Sequence, residues 1–173
     1  MEYAEFGSLR KLLNQVIQSN APHKYDNTIR QIILIGISRG MKYLHDRSII
    51  HRDLKPENVL ICKKLHPHIT DFGLSKFFEF GQSQNQSQNP GTPFYMAPEV
   101  HKGEKFGRKS DVYSFGLLMF EVVTDSNPFE SITSAKLLKI IYEKVRPRFK
   151  YHVKDKIREL IEKCWDEDPN ERP

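Results

Sequence analysis

Apolar positions recur at helical spacing along most of this chain. Leu9, Leu12, Leu13, Val16 and Ile17 follow i, i+3, i+4, i+7, i+8 behind Gly7-Ser8, which predicts an amphipathic helix with Ser8 as its N-cap. A longer helix is predicted over about 27–46. Ile29, Ile33, Gly36, Gly40, Met41 and Leu44 mark its inner face, and Thr28 and Gln31 are spaced for a capping box. Two short runs, 58–62 and 68–70, read as β-strands separated by a turn around Pro67. Positions 110–124 are apolar on nearly every side, the pattern of a helix buried at the centre of a domain. Two amphipathic helices follow, near 134–144 and 155–165; the second carries Ile157, Leu160, Ile161 and Cys164 in helical phase. Positions 81–89, GQSQNQSQN, form a polar, uncharged run that reads as a loop because it has almost nothing to bury. The predicted class is mainly α with a short β-hairpin region.

Composition narrows the picture. A length of 173 residues with 38% apolar and 11% aromatic content suits one globular domain rather than a disordered chain. Lys and Arg number 27 against 22 Asp and Glu, a net charge of +5. They occur in every segment, so the charge by itself does not point to nucleic acid. No apolar run approaches the ~20 residues of a membrane span. The acidic start, Met1-Glu2-Tyr3-Ala4-Glu5, does not read as a leader. Cys62 and Cys164 read as free thiols of a reducing compartment. The expectation is a soluble cytoplasmic protein with no nucleic-acid partner and no membrane span.

Three motifs carry chemistry. His51-Arg52-Asp53-Leu54-Lys55-Pro56-Glu57-Asn58 lies between the long helix and the first predicted strand, followed by Asp71-Phe72-Gly73 and then Ala97-Pro98-Glu99. A lone His-Arg-Asp triplet is most often a surface turn. All three motifs in this order resemble the signature set of protein kinases. The resemblance extends over 1–173. Residues 1–9 resemble the hinge and first helix of the large lobe, Gly91-Thr92-Pro93-Phe94-Tyr95-Met96 the peptide-docking segment, and Ser110-Asp111-Val112-Tyr113-Ser114-Phe115-Gly116 the central buried helix. Cys164-Trp165 through Arg172-Pro173 resembles the closing helices. Within the eukaryotic-type kinases the chain is most similar to serine/threonine kinases of the tyrosine-kinase-like group.

This resemblance implies ATP and Mg²⁺ as cofactors and proteins as substrates. Phosphoryl transfer passes through a loose transition state, so the protein mainly positions reactants and offsets charge. Asp53 is then the residue that orients the attacking hydroxyl, Lys55 lies near the transferring phosphate, and Asn58 and Asp71 supply oxygens to Mg²⁺. The backbone of Glu2 and Ala4 faces the adenine edge and Leu60 forms its floor. Lys55 and the segment GTPFYMAPE go with Ser/Thr specificity, with Thr92 hydrogen-bonded near Asp53 and Lys55. His51 and Phe72 belong to an apolar spine, Asp111 bonds the backbone of His51 and Arg52, and Glu99 pairs with Arg172. Arg52, with Lys76, is expected to meet a phosphate on the activation segment at Ser83 or Ser87. His66-Pro67-His68 reads as a turn rather than a metal site.

The chain contains no G-x-G pair and nothing like the V-A-I-K strand lysine ahead of position 53. It therefore reads as a partial kinase domain, hinge and C-terminal lobe, with catalytic loop 51–58 and activation segment 71–99. The small β-rich lobe is missing and is assigned to a full-length parent. Two functions compete: a serine/threonine kinase whose fragment is inactive alone, and a non-catalytic kinase-like scaffold or protein-binding module.

Overall fold

A computed structural model of the chain describes residues 5–20, 25–71, 76–77, 93–127 and 143–173. α1 (Leu9–Ile17) begins where predicted, with the Ser8 hydroxyl accepting from the Lys11 N–H at 3.3 Å. It buries Leu9, Leu12 and Leu13. α2 (Asn27–Asp46) also fills its predicted span, but the Thr28–Gln31 box is not its cap. Asp26, in extended conformation, accepts from the Ile29 N–H at 3.0 Å, and a carboxylate there also favours the positive end of the helix dipole. Ile33, Ile37, Met41 and Leu44 form the buried face.

β2 (Val59–Ile61) and β3 (Pro67–Ile69) form an antiparallel hairpin that pairs Val59 with Ile69 and Ile61 with Pro67. The turn lies at 63–65, where the Leu65 N–H donates to the Cys62 carbonyl at 2.8 Å, and not around Pro67. Pro67 opens β3 instead, a position that loses nothing by lacking an N–H. Asn58 ends a 3-10 turn (Pro56–Asn58) rather than starting the strand. α2 lies directly on the hairpin. A Cβ on Gly36 would stand 2.4 Å from Pro67 Cγ, and one on Gly40 2.8 Å from Ile69 Cδ1, so the small residues set the closeness of this contact. A second two-stranded sheet pairs β1 (Ile49–Ile50) with β4 (Lys76–Phe77) and has no counterpart among the predicted elements.

α3 (Pro98–His101) leads into α4 (Arg108–Thr124), which starts at Arg108 rather than at 110. α5 (Asp155–Cys164) ends one residue early, with Trp165 as its C-cap. The central placement of α4 holds. Leu118 and Val122 pack with α1, α2 and the hairpin, while Tyr113, Leu117, Met119 and Phe120 pack with Tyr95, Ala97 and α5. Gly116 lets α5 approach, since a Cβ there would meet Cys164 Cβ at 2.8 Å. Helix 134–144 falls outside the described residues except for Glu143 and Lys144, which are not helical. The result is a mainly α lobe with two small two-stranded antiparallel sheets, of which β2–β3 is a hairpin.

Candidate active site

The loop carrying His51 to Asn58 runs between β1 and β2 and is fixed from beneath by α4. Asp111, in the first turn of that helix, accepts from the His51 and Arg52 N–H groups at 2.9 Å each. His45, in the last turn of α2, contacts the same carboxylate through Nε2 at 2.8 Å. His51 is fully buried. Its Nδ1 accepts from the Asp53 N–H at 3.3 Å, so the proton sits on Nε2, which donates to the Thr70 carbonyl at 2.9 Å. Thr70 in turn donates its N–H to the Asn58 carbonyl at 2.9 Å. One histidine thus links the loop to the residue immediately before Asp71. Arg52 and Asp71 both have left-handed backbones, φ 71° and 61°. For side chains other than glycine such geometry is costly and persists where surroundings enforce it, as Asp111 does at Arg52.

The sequence-predicted residues converge only in part within the described structure. Lys55 Nζ donates to Asp53 Oδ2 at 2.7 Å. Asn58 Nδ2 donates to the Asp53 carbonyl at 2.8 Å and to Oδ2 at 3.0 Å. Asp53 Oδ2 is therefore held by a cation and a buried amide together. Leu60 is half-buried between Ser8 and His68. Nearby, the Phe6 N–H donates to the Ile61 carbonyl at 3.2 Å and the Ile61 N–H to the Gly7 carbonyl at 2.8 Å, bringing the segment before α1 onto β2. The Arg52 guanidinium lies 5.6 Å from the Phe106 ring, and burial holds its pKa below the ordinary value while Asp111 acts in the opposite sense. Glu2, Ala4, Phe72, Ser83, Ser87 and Thr92 lie outside the described residues, as does the side chain of Lys76.

The donor set suits Mg²⁺. With its NH₂ on Asp53, Asn58 turns its amide oxygen the other way; that amide oxygen and the exposed Asp71 carboxylate are both hard-oxygen donor types. Mg²⁺ commonly takes one or two protein oxygens and completes its octahedron with phosphate and water. A larger protein cage is not required, and among the described residues no group of three or more His, Cys, Asp or Glu side chains is arranged to hold a metal ion.

Two networks support the site from the periphery. The Glu99–Arg172 pair is present, with Arg172 Nη1 and Nη2 on Oε1 and Oε2 at 2.8 and 2.9 Å. The second network was not anticipated. Arg10 of α1 donates to Glu57 at 2.7 Å, to Glu121 at 2.5 Å and to the Tyr95 hydroxyl at 2.6 Å, and Tyr95 donates to Glu121. Burial pushes the Glu121 carboxyl above its ordinary range, partly offset by Arg10 and Tyr95, and pushes the Tyr95 hydroxyl well above its own. One signal for it existed in the sequence: Glu121 is the sole charge within the apolar run 112–123.

Comparison with known proteins gives the family. The family described as protein tyrosine and serine/threonine kinase matches residues 1–173. The chain is 36% identical, over 99% of its length, to the serine/threonine/tyrosine-protein kinase HT1 of Arabidopsis thaliana, covering 43% of that protein. It is 35% identical, over 99% of its length, to the serine/threonine-protein kinase CTR1 of the same plant, covering 21%. To the RGS domain-containing serine/threonine-protein kinase A of Dictyostelium discoideum it is 36% identical over 80% of its length, covering 12%. It spans less than half the length of each of these relatives. On its motifs, its fold and these matches together, the chain belongs to the protein tyrosine and serine/threonine kinase family.

Proposed function

We propose that this chain is the C-terminal lobe of a cytoplasmic serine/threonine protein kinase that transfers the ATP γ-phosphate to protein hydroxyls. The observation that carries the reading is the Asp53 carboxylate held between Lys55 Nζ and Asn58 Nδ2. In that position Asp53 accepts or orients the proton of an incoming Ser or Thr hydroxyl. Lys55, 2.7 Å from the same carboxylate, offsets charge on the phosphate in transfer. Asn58 and Asp71 hold Mg²⁺, which neutralises phosphate charge. Leu60 supports the adenine, with the backbone of Glu2 and Ala4 at its edge. Cys62 and Cys164, both buried, are not joined in a disulfide, which agrees with a reducing compartment.

The scaffold alternative draws on one fact, the lack of G-x-G and V-A-I-K elements in these residues. Phosphate transfer to a basic protein substrate by the full-length protein separates the two. Asp53→Asn is expected to lower kcat about 10²–10⁴-fold, the usual contribution of a positioned acid–base group. Phosphoamino-acid analysis should show label on Ser and Thr. Label on Tyr alone refutes the specificity, and an undiminished kcat in Asp53→Asn refutes the role of Asp53.

A further inference from the structure

The positive charge of this chain is not evenly spread. Residues 144–154 contain Lys144, Arg146, Arg148, Lys150 and Lys154, together with His152, and no acid. Their five cations equal the chain's whole net charge of +5, so the other 162 residues balance at 22 Lys and Arg against 22 Asp and Glu. The segment is irregular and pinned by three inward contacts. Arg146 donates to the Trp165 carbonyl at 3.0 Å and to Glu167 at 3.1 Å. The Phe149 ring lies 5.0 Å from Phe120 and 5.9 Å from Trp165, and Val153 is buried. Between these anchors Arg148, Lys150, Tyr151 and His152 are exposed, as is Lys154 just beyond them.

Apolar side chains also stand exposed in and beside this run. Tyr151 is 74% exposed, Val145 46%, and Leu160 of the adjoining helix 44%. Cations alone would suit any polyanion. Cations around a projecting aromatic with a polar tip, and around aliphatic side chains, suit an interface whose surface is anionic and whose interior is hydrocarbon. We propose that residues 144–154 form a docking surface for an anionic lipid bilayer, distinct from the phosphotransfer site and independent of it. Among the described residues no helix is long and apolar enough to cross a membrane, so the contact is peripheral. Asp155 and Glu159 limit the patch on the α5 side.

The test is sedimentation of the full chain with vesicles of phosphatidylcholine alone or with about a third phosphatidylserine, a measurement that needs no catalysis. Each Lys or Arg at an anionic leaflet multiplies partitioning about fivefold. The triple variant Arg148→Ala/Lys150→Ala/Lys154→Ala should therefore bind the charged vesicles about 100-fold more weakly. A charge-matched control, Lys63→Ala/Lys64→Ala/Lys105→Ala, removes three exposed cations elsewhere and should stay within about twofold of the parent. Binding should also weaken steeply between roughly 0.1 and 0.5 M salt. Equal sedimentation with neutral vesicles, or equal losses in the two triple variants, overturns the proposal. Tighter binding to polyglutamate or to duplex DNA at the same salt also overturns it, in favour of a protein or nucleic-acid partner.

Discussion

The Arg172 guanidinium is fully buried and spends its donors on Glu99 and on the carbonyls of Lys109, Asp166 and Glu167. A buried pair of this kind gives little net stability against an apolar replacement, but removing one partner strands the other. Arg172→Ala leaves the buried Glu99 with the Ser110 hydroxyl at 3.1 Å and no cation, and should cost about 3–5 kcal/mol in urea unfolding. Adding Glu99→Gln should recover part of that loss; no recovery would mean that packing rather than stranded charge dominates. Arg52 is only partly buried. Its guanidinium is partly desolvated over Phe106, so an added phosphate nearby would find a cation already poorly hydrated. We therefore expect Ser83→Ala/Ser87→Ala in the full-length protein to lower kcat/KM about tenfold or more, with phosphatase treatment of the wild type giving the same loss. If neither treatment changes the rate, the activation segment does not act through those serines.

Elements longer than two turns were legible in the sequence because their buried faces repeat: α1, α2, α4 and α5 lie within two residues of their predicted ends. The failures were local or long-range. Strands of two residues, as in β1 and β4, hold no period to detect. The Asp26 cap competed with a well-spaced box that starts two residues later, at Thr28. The candidate site could be named from motifs, but its geometry rests on the contacts of Asp111 with His45, His51 and Arg52, whose partners lie far apart in the chain. The contact between α4 and α5 also yields a pH dependence. Burial between the helices pushes the Cys164 thiol up from 9.0 to about 11. A raised pKa adds stability that is complete below the unfolded value and lost as pH rises through the folded one. Stability should thus fall by about 2–3 kcal/mol between pH 9 and 11 under reducing conditions. Cys164→Ala should flatten that part of the urea-midpoint curve; an unchanged slope would place its origin elsewhere.

At the scale of the whole molecule, the described residues supply the loop, the carboxylate with its two partners, and the supports from α2 and α4. They supply these from one side only. On the proposed function, Asp53, Lys55, Asn58 and Asp71 meet the hydroxyl and the metal, whereas a kinase also covers the phosphates with a glycine-rich loop and pairs them with a strand lysine, neither of which occurs in these 173 residues. Positioning and charge neutralisation multiply rather than add, so half of a phosphate clamp does not give half of the rate. The 173-residue chain alone should therefore transfer phosphate from ATP to a basic protein substrate far below the ~1–100 s⁻¹ usual for kinases. Supplying the full-length protein under identical conditions should restore turnover that Asp53→Asn removes. If the isolated chain turned over within that range and lost activity on Asp53→Asn, the one-sided account of the site would be wrong, and the phosphate contacts would have to come from residues within these 173.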